Sequence, residues 1–78
     1  MSDREGVDPD AYLRALGKRV RLLRLTREMT QEQLGEAAGM SRSFVSVIEH
    51  GTGGVDVVRL LRIAAALDVP IEELLRMP

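Results

Sequence analysis

The chain has no cysteine and no tryptophan, and only one tyrosine, one phenylalanine and one histidine. Without thiols there can be neither a disulfide nor a thiolate ligand, which fits a reducing compartment. A single histidine supplies too few donors for an ordinary metal centre, so no metal, cofactor or small-molecule ligand is expected. No apolar run approaches the roughly 18 residues needed to cross a bilayer. Met1 to Asp10 is polar and acidic, unlike the apolar core of a signal peptide. The expected setting is the cytoplasm, without a membrane partner. No nucleophile, base and acid stand in a recognisable catalytic arrangement, so no enzyme is expected.

A surplus of either charge is also missing: 11 Lys and Arg face 12 Asp and Glu, for a net charge of −1. The distribution is uneven, however. Between Ala11 and Arg27 stand Arg14, Lys18, Arg19, Arg21, Arg24 and Arg27 with no acid among them, whereas acids gather at Asp3, Glu5, Asp8 and Asp10 and again at Asp68, Glu72 and Glu73. A basic flank and an acidic far side suit a polyanionic partner better than the net charge does. One Lys against ten Arg, amid abundant Ala, Leu and Val, reads as bacterial coding of high GC content.

With 78 residues, 45% of them hydrophobic, the chain is expected to fill one core and leave no room for a second domain. Residues 1–9, acidic with Gly6 and Pro9, are expected to form a flexible arm before a folded domain over 10–78. The stretch Thr30 to Gly51, TQEQLGEAAGMSRSFVSVIEHG, organises that domain. Thr30-x-x-Gln33 is a capping-box pattern that predicts a helix start. Leu34, Ala37 and Ala38 form its narrow apolar face, and Gly39 is placed to end it in a left-handed conformation. Ser41 is a good cap for a further helix from Arg42 to about His50, which Gly51 ends. Two short helices about a glycine turn predict a helix-turn-helix, whose second helix enters the major groove of DNA.

In that second helix Val45 and Ile48 point one way, flanked by Phe44, whose expected role is packing. Arg42, Ser43, Ser46 and Val47 point the other way and are the expected base contacts. Arginine can donate two hydrogen bonds to guanine, serine can pair with several base edges, and valine can touch a thymine methyl. Ser41, Arg19 and His50 are candidate phosphate contacts.

Before this motif a helix is expected from about Asp10 to Arg27, with Leu13, Leu16, Val20 and Leu23 inward. After it, Asp56 caps a fourth helix to about Leu67, with Val57, Leu60, Ile63, Ala64 and Leu67 inward. Pro70 stands where it opens a short fifth helix. The expected fold is all-α, with five helices. Val69, Ile71, Leu75 and Met77 cluster beside the acidic end. Helix 5 is too short to bury them all, so they are the expected homodimer surface.

These segments resemble the lambda-repressor and Cro-like helix-turn-helix family, also called XRE-type. Leu16-Gly17-x-Arg19-Val20-Arg21-x-Leu23-Arg24 is similar to the family's first helix, and Thr30-Gln31-Glu32-x-Leu34 to the start of its second. Ser46-x-Ile48-Glu49-x-Gly51 resembles the end of its reading helix. Leu60-x-x-Ile63-Ala64-x-Ala66-Leu67-x-Val69 and Ile71-x-x-Leu74-Leu75 resemble its last two. The stretch Arg42 to Glu49 is similar to the controller proteins of restriction–modification systems. The resemblance implies a transcriptional regulator that binds an inverted-repeat operator in double-stranded DNA as a homodimer and lies on the nucleoid when bound. It implies that Gln31 bonds a phosphate, that Arg42, Ser43 and Val47 face bases, and that Arg24 and Glu49 form an internal ion pair. Two positions depart from the family. The loop Thr52-Gly53-Gly54-Val55 lacks the usual Lys or Arg and the Pro that follows, and Val58 is apolar where the family is polar, which points to a buried or partner-covered helix 4. The uncharged loop and the acidic pI keep a second reading open, a protein-interaction module such as an antitoxin or anti-repressor.

Overall fold

The computed structural model describes residues 8–76, which form five helices and, among the described residues, no strand. They are α1 (Pro9–Thr26), α2 (Gln31–Ala38), α3 (Arg42–His50), α4 (Val57–Ala66) and α5 (Ile71–Leu75). Residues 1–7, most of the expected arm, lie outside this range. Helix α1 starts one residue before the expected Asp10. Pro9, pre-set for a first turn, opens it, and the Asp8 carboxylate accepts from the Asp10 N–H.

Three further helices begin on a polar cap. At Thr30 the capping box is complete: its hydroxyl accepts from the Gln33 N–H, and the Gln33 side chain accepts from the Thr30 N–H. Ser41 caps α3 through the Phe44 N–H, and Asp56 caps α4 through the Arg59 N–H. Pro70 takes the cap position of α5, not the first helical position expected from the sequence, and makes no side-chain cap bond.

Helices α1 to α4 end alike. Each is followed by a residue in the left-handed region, Glu28, Gly39, Gly51 and Asp68 in turn. The next N–H then reaches back over a turn: Met29 to the Arg24 carbonyl, Met40 to Gly35, Thr52 to Val47 and Val69 to Ala64. This six-to-one bond satisfies a terminal carbonyl and turns the chain sharply. Two of the four turns use a residue other than glycine. The one at Asp68 is braced from outside, because Arg27 donates through Nε to the Leu67 carbonyl at 2.7 Å. Arg27, counted by sequence with the basic run, is thus a cap for α4.

Each helix contributes to one core of Leu16, Val20, Leu34, Ala38, Val45, Ile48, Leu60, Ile63, Ala64, Leu67 and Leu74. Helix α3 packs on both α1 and α2, α2 also meets α4, and α5 closes the base against α4 and α1. Gly17 makes the α1–α3 contact possible. A Cβ there would stand 2.4 Å from the Ile48 carbonyl oxygen and 2.5 Å from that of Glu49.

Some expectations about which residues face inward need correction. Val57 is 65% exposed and Ala37 is exposed, while Leu13 and Leu23 are only half-buried. The exposed Val57 lies at the edge of the stripe made by Leu60, Ile63, Ala64 and Leu67. In a helix apolar on nearly every side, periodicity cannot locate that edge. Val69 and Ile71 are half-buried and pack against the core, so they are not the free apolar surface expected of them. Leu75 is 49% exposed, and Met77 lies outside the described residues.

Candidate nucleic-acid interface

The buried side of α3 is Val45, Ile48 and Glu49. Its open side carries Ser43, Val47 and His50, at i, i+4 and i+7, with Arg42 at the first turn, all exposed. Ser46 stands at the edge and is half-buried. His50 donates from Nδ1 to the Ser46 carbonyl at 2.8 Å, since a carbonyl oxygen can only accept. That bond fixes the ring and leaves Nε2 outward. Ser46 Oγ lies 3.4 Å from the same Nδ1, so Ser46 and His50 share one local arrangement. Ser41 uses its hydroxyl oxygen as a cap acceptor and keeps its proton to donate.

Helix α3 is held at its angle by a buried polar network. Arg24 Nε donates to Glu49 Oε2 at 2.6 Å and Arg24 Nη2 to Glu49 Oε1 at 3.0 Å, a two-point contact. The side chains are 9% and 2% exposed, so water screens the pair little. The hydrogen bond to Glu49 is the main reason the Arg24 guanidinium is held above its ordinary range. Arg24 Nη1 also donates to the Met29 carbonyl at 2.8 Å, tying the pair to the turn before α2.

Gln31 joins this network: its Nε2 donates to Glu49 Oε1 at 3.0 Å. Among the described residues its remaining amide N–H and carbonyl make no hydrogen bond, so the side chain is oriented from within. Beside it runs a groove of about 470 Å³ lined by Arg24, Thr30, Gln31, Glu32 and Arg42, among others. The start of α2, the start of α3 and two arginines thus meet at one place, where backbone N–H groups and positive charge suit an anion. Glu49 already neutralises Arg24 and Glu32 opposes an anion, so the positive charge free for one there is that of Arg42.

Other sequence candidates are placed differently. Gly17 faces α3. Arg19 is two residues further, about 200° round the helix, and so faces away from α3. It lines a shallow depression with Ala15, Lys18 and Leu22. Phe44 packs against the core, and the Arg59 guanidinium lies 5.1 Å from its ring centroid, so its face is occupied. No group of three or more metal-ligating side chains occurs among the described residues. No described helix is long and apolar enough to cross a membrane.

Of the outer face of α4 the sequence marks only Val58, as a sign of a buried or partner-covered helix, and does not single out Leu61 or Ala65. Val58 is 57% exposed and Leu61 50%, with Ala65 on the same side. Nearby, Pro9, Tyr12, Leu13, Val55, Leu60 and Leu75 line an apolar groove of about 460 Å³. The signal was present in the sequence, since VVRLLRIAAA is apolar on almost every side, and such a helix is normally covered all round.

Comparison with known proteins agrees with the fold. The helix-turn-helix family matches residues 20–74. Over 56 residues the chain is 39% identical to an uncharacterised helix-turn-helix transcriptional regulator of Sinorhizobium medicae, covering 72% of this chain but only 40% of that protein. It is 37% identical over 60 residues to the control protein C.BamHI of Bacillus amyloliquefaciens, covering 76% of this chain and 74% of that one. In three dimensions it is similar to the restriction–modification controller protein C.AhdI of Aeromonas hydrophila, with a TM-score of 0.81 and 39% identity over 82% of this chain and 97% of the other.

Proposed function

Because the chain belongs to the XRE-type helix-turn-helix family of DNA-binding transcriptional regulators, we propose that it reads an inverted-repeat operator as a homodimer, with α3 in the major groove. The observation that carries this reading is the division of α3. Val45, Ile48 and Glu49 are locked into the body, while Arg42, Ser43 and Val47 stand open. An exposed row without a structural task, on a helix fixed by a buried ion pair, is suited to reading bases. Arg42, Ser43, Val47 and the outer edge of Ser46 are assigned to base edges. Gln31 and Ser41 are assigned to a phosphate at the N-terminal end of α3, and His50, as the imidazolium that donates from both ring nitrogens, to one near its C-terminal end.

One such helix covers only a few base pairs, too little to discriminate within a genome. Two-fold symmetry doubles the site, with half-sites about 34 Å apart for one turn of duplex. The dimer surface that suits this is the outer face of α4, with Val58, Leu61 and Ala65, together with Leu75 of α5. It replaces the expected set built on Val69 and Ile71, which serve the core.

Selection from a random pool of duplexes tests the reading. An inverted repeat with half-sites about ten base pairs apart, centre to centre, is the expected outcome. Recovery of unrelated sequences, or of none, would contradict it.

A further inference from the structure

The loop that leaves the reading helix has no cation of its own, yet it lies on the DNA side. Gly53 folds back on α3 so closely that a Cβ there would be 3.0 Å from Val47 Cγ1. Val47 belongs to the open row, so the loop borders it. Nine residues of helix span about 13.5 Å, and the major groove is about 12 Å wide. When the N-terminal end of α3 meets the phosphates of one strand, beside Gln31, its C-terminal end faces those of the other. That second wall needs a positive charge which Thr52, Gly53, Gly54 and Val55 do not supply.

Helix α1 passes at this point. A Cβ on Gly51 would stand 2.7 Å from the Arg14 Cα and 2.9 Å from the Arg14 nitrogen. The left-handed glycine that ends α3 therefore brings the loop into backbone contact with Arg14. The Arg14 side chain is exposed and, among the described residues, makes no hydrogen bond or ion pair. Asp10, four residues before it, is not paired with it. On the helical wheel Arg14 and Arg21 lie about 60° and 40° from Gly17, the residue that faces α3. They share a flank from which Arg19 points away.

We propose that Arg14 is a phosphate contact of the loop side, beside His50, donated by α1 in place of a basic residue in the loop. This rests on the DNA-binding reading above. Gly51 is then doubly needed, to end α3 and to let α1 come close enough to serve.

The test is the salt dependence of binding, read by fluorescence anisotropy on a selected operator and on a random duplex of equal length. Arg14→Ala is expected to weaken both duplexes by the same factor. It is also expected to reduce the slope of log affinity against log salt by about 0.9 for each subunit bound. Arg14→Lys should keep the slope, and Arg19→Ala should leave both affinity and slope unchanged. Arg14→Gln, which retains most of the side-chain stem, guards against a loss caused by misfolding and should behave as Arg14→Ala does. A wild-type slope in Arg14→Ala and Arg14→Gln, with the wild-type protein binding normally, overturns the Arg14 assignment alone. If the wild-type protein binds neither duplex at any salt, the DNA-binding reading falls, and this assignment with it.

Discussion

Glu49 does the most of any single residue in this chain. Its two oxygens accept from Arg24 twice and from Gln31 once, so one carboxylate links α1, α2 and α3. Removing it leaves a guanidinium buried with only the Met29 carbonyl as a partner. Glu49→Ala is expected to cost about 3–5 kcal/mol, a large part of the stability of so small a domain. Replacing both members, Arg24→Met with Glu49→Leu, should cost clearly less, since no charge is then stranded. Chemical denaturation of the three proteins checks this. Equal losses in single and double variants would show that the pair is more than a mutually compensated charge. The pairing itself was legible only through the family resemblance, because no local pattern links residues 25 apart in sequence. The part Gln31 plays was not legible. A glutamine at a helix start looks free in sequence, and only the approach of α3 shows what it donates to.

At the scale of elements, the sequence showed how helices begin better than how they end. Thr30, Ser41 and Asp56 each sit beside an N–H three residues on, and their residue types announce it. Gly39 and Gly51 are similarly plain. Glu28 and Asp68 are not, because a left-handed residue other than glycine leaves no compositional mark. The bond that holds such a turn comes from the following residue and, at Asp68, from a distant arginine. The α1–α3 contact is likewise hidden in the single letter at Gly17. Helix propensity alone favours alanine there by about 1 kcal/mol, whereas forcing atoms into a packed contact costs about 1–3 kcal/mol. A Cβ at 2.4 Å from a backbone oxygen puts Gly17 at the costly end of that range. Gly17→Ala should therefore lower the melting temperature and, by displacing α3, weaken operator binding. A more stable variant with unaltered binding would show that the two helices separate freely.

For the whole molecule, a net charge of −1 understates the asymmetry that matters. Arg14, Lys18 and Arg21 are exposed along α1, Arg42 opens α3, and the acids of α5 lie at the other end of the chain. The five-helix order was legible almost completely, because caps and apolar stripes agree with one another. The free surface was less legible. Sequence placed it at Val69, Ile71, Leu75 and Met77, but Val69 and Ile71 pack against the core, and Val58 and Leu61 stand exposed along with Leu75. If the outer face of α4 joins two copies, Leu61→Glu should give a folded monomer by sedimentation, with operator affinity at least tenfold weaker. An unchanged dimer would move the interface elsewhere. The central claim, that α3 reads bases through its first turn, is tested most directly by Arg42→Ala. Its affinity should be compared with wild type on the selected operator and on random duplex at one salt concentration. A lost two-point base contact is expected to cost about 1–3 kcal/mol on the operator, with much less change on random DNA. Equal weakening on both would make Arg42 a phosphate contact and contradict the account.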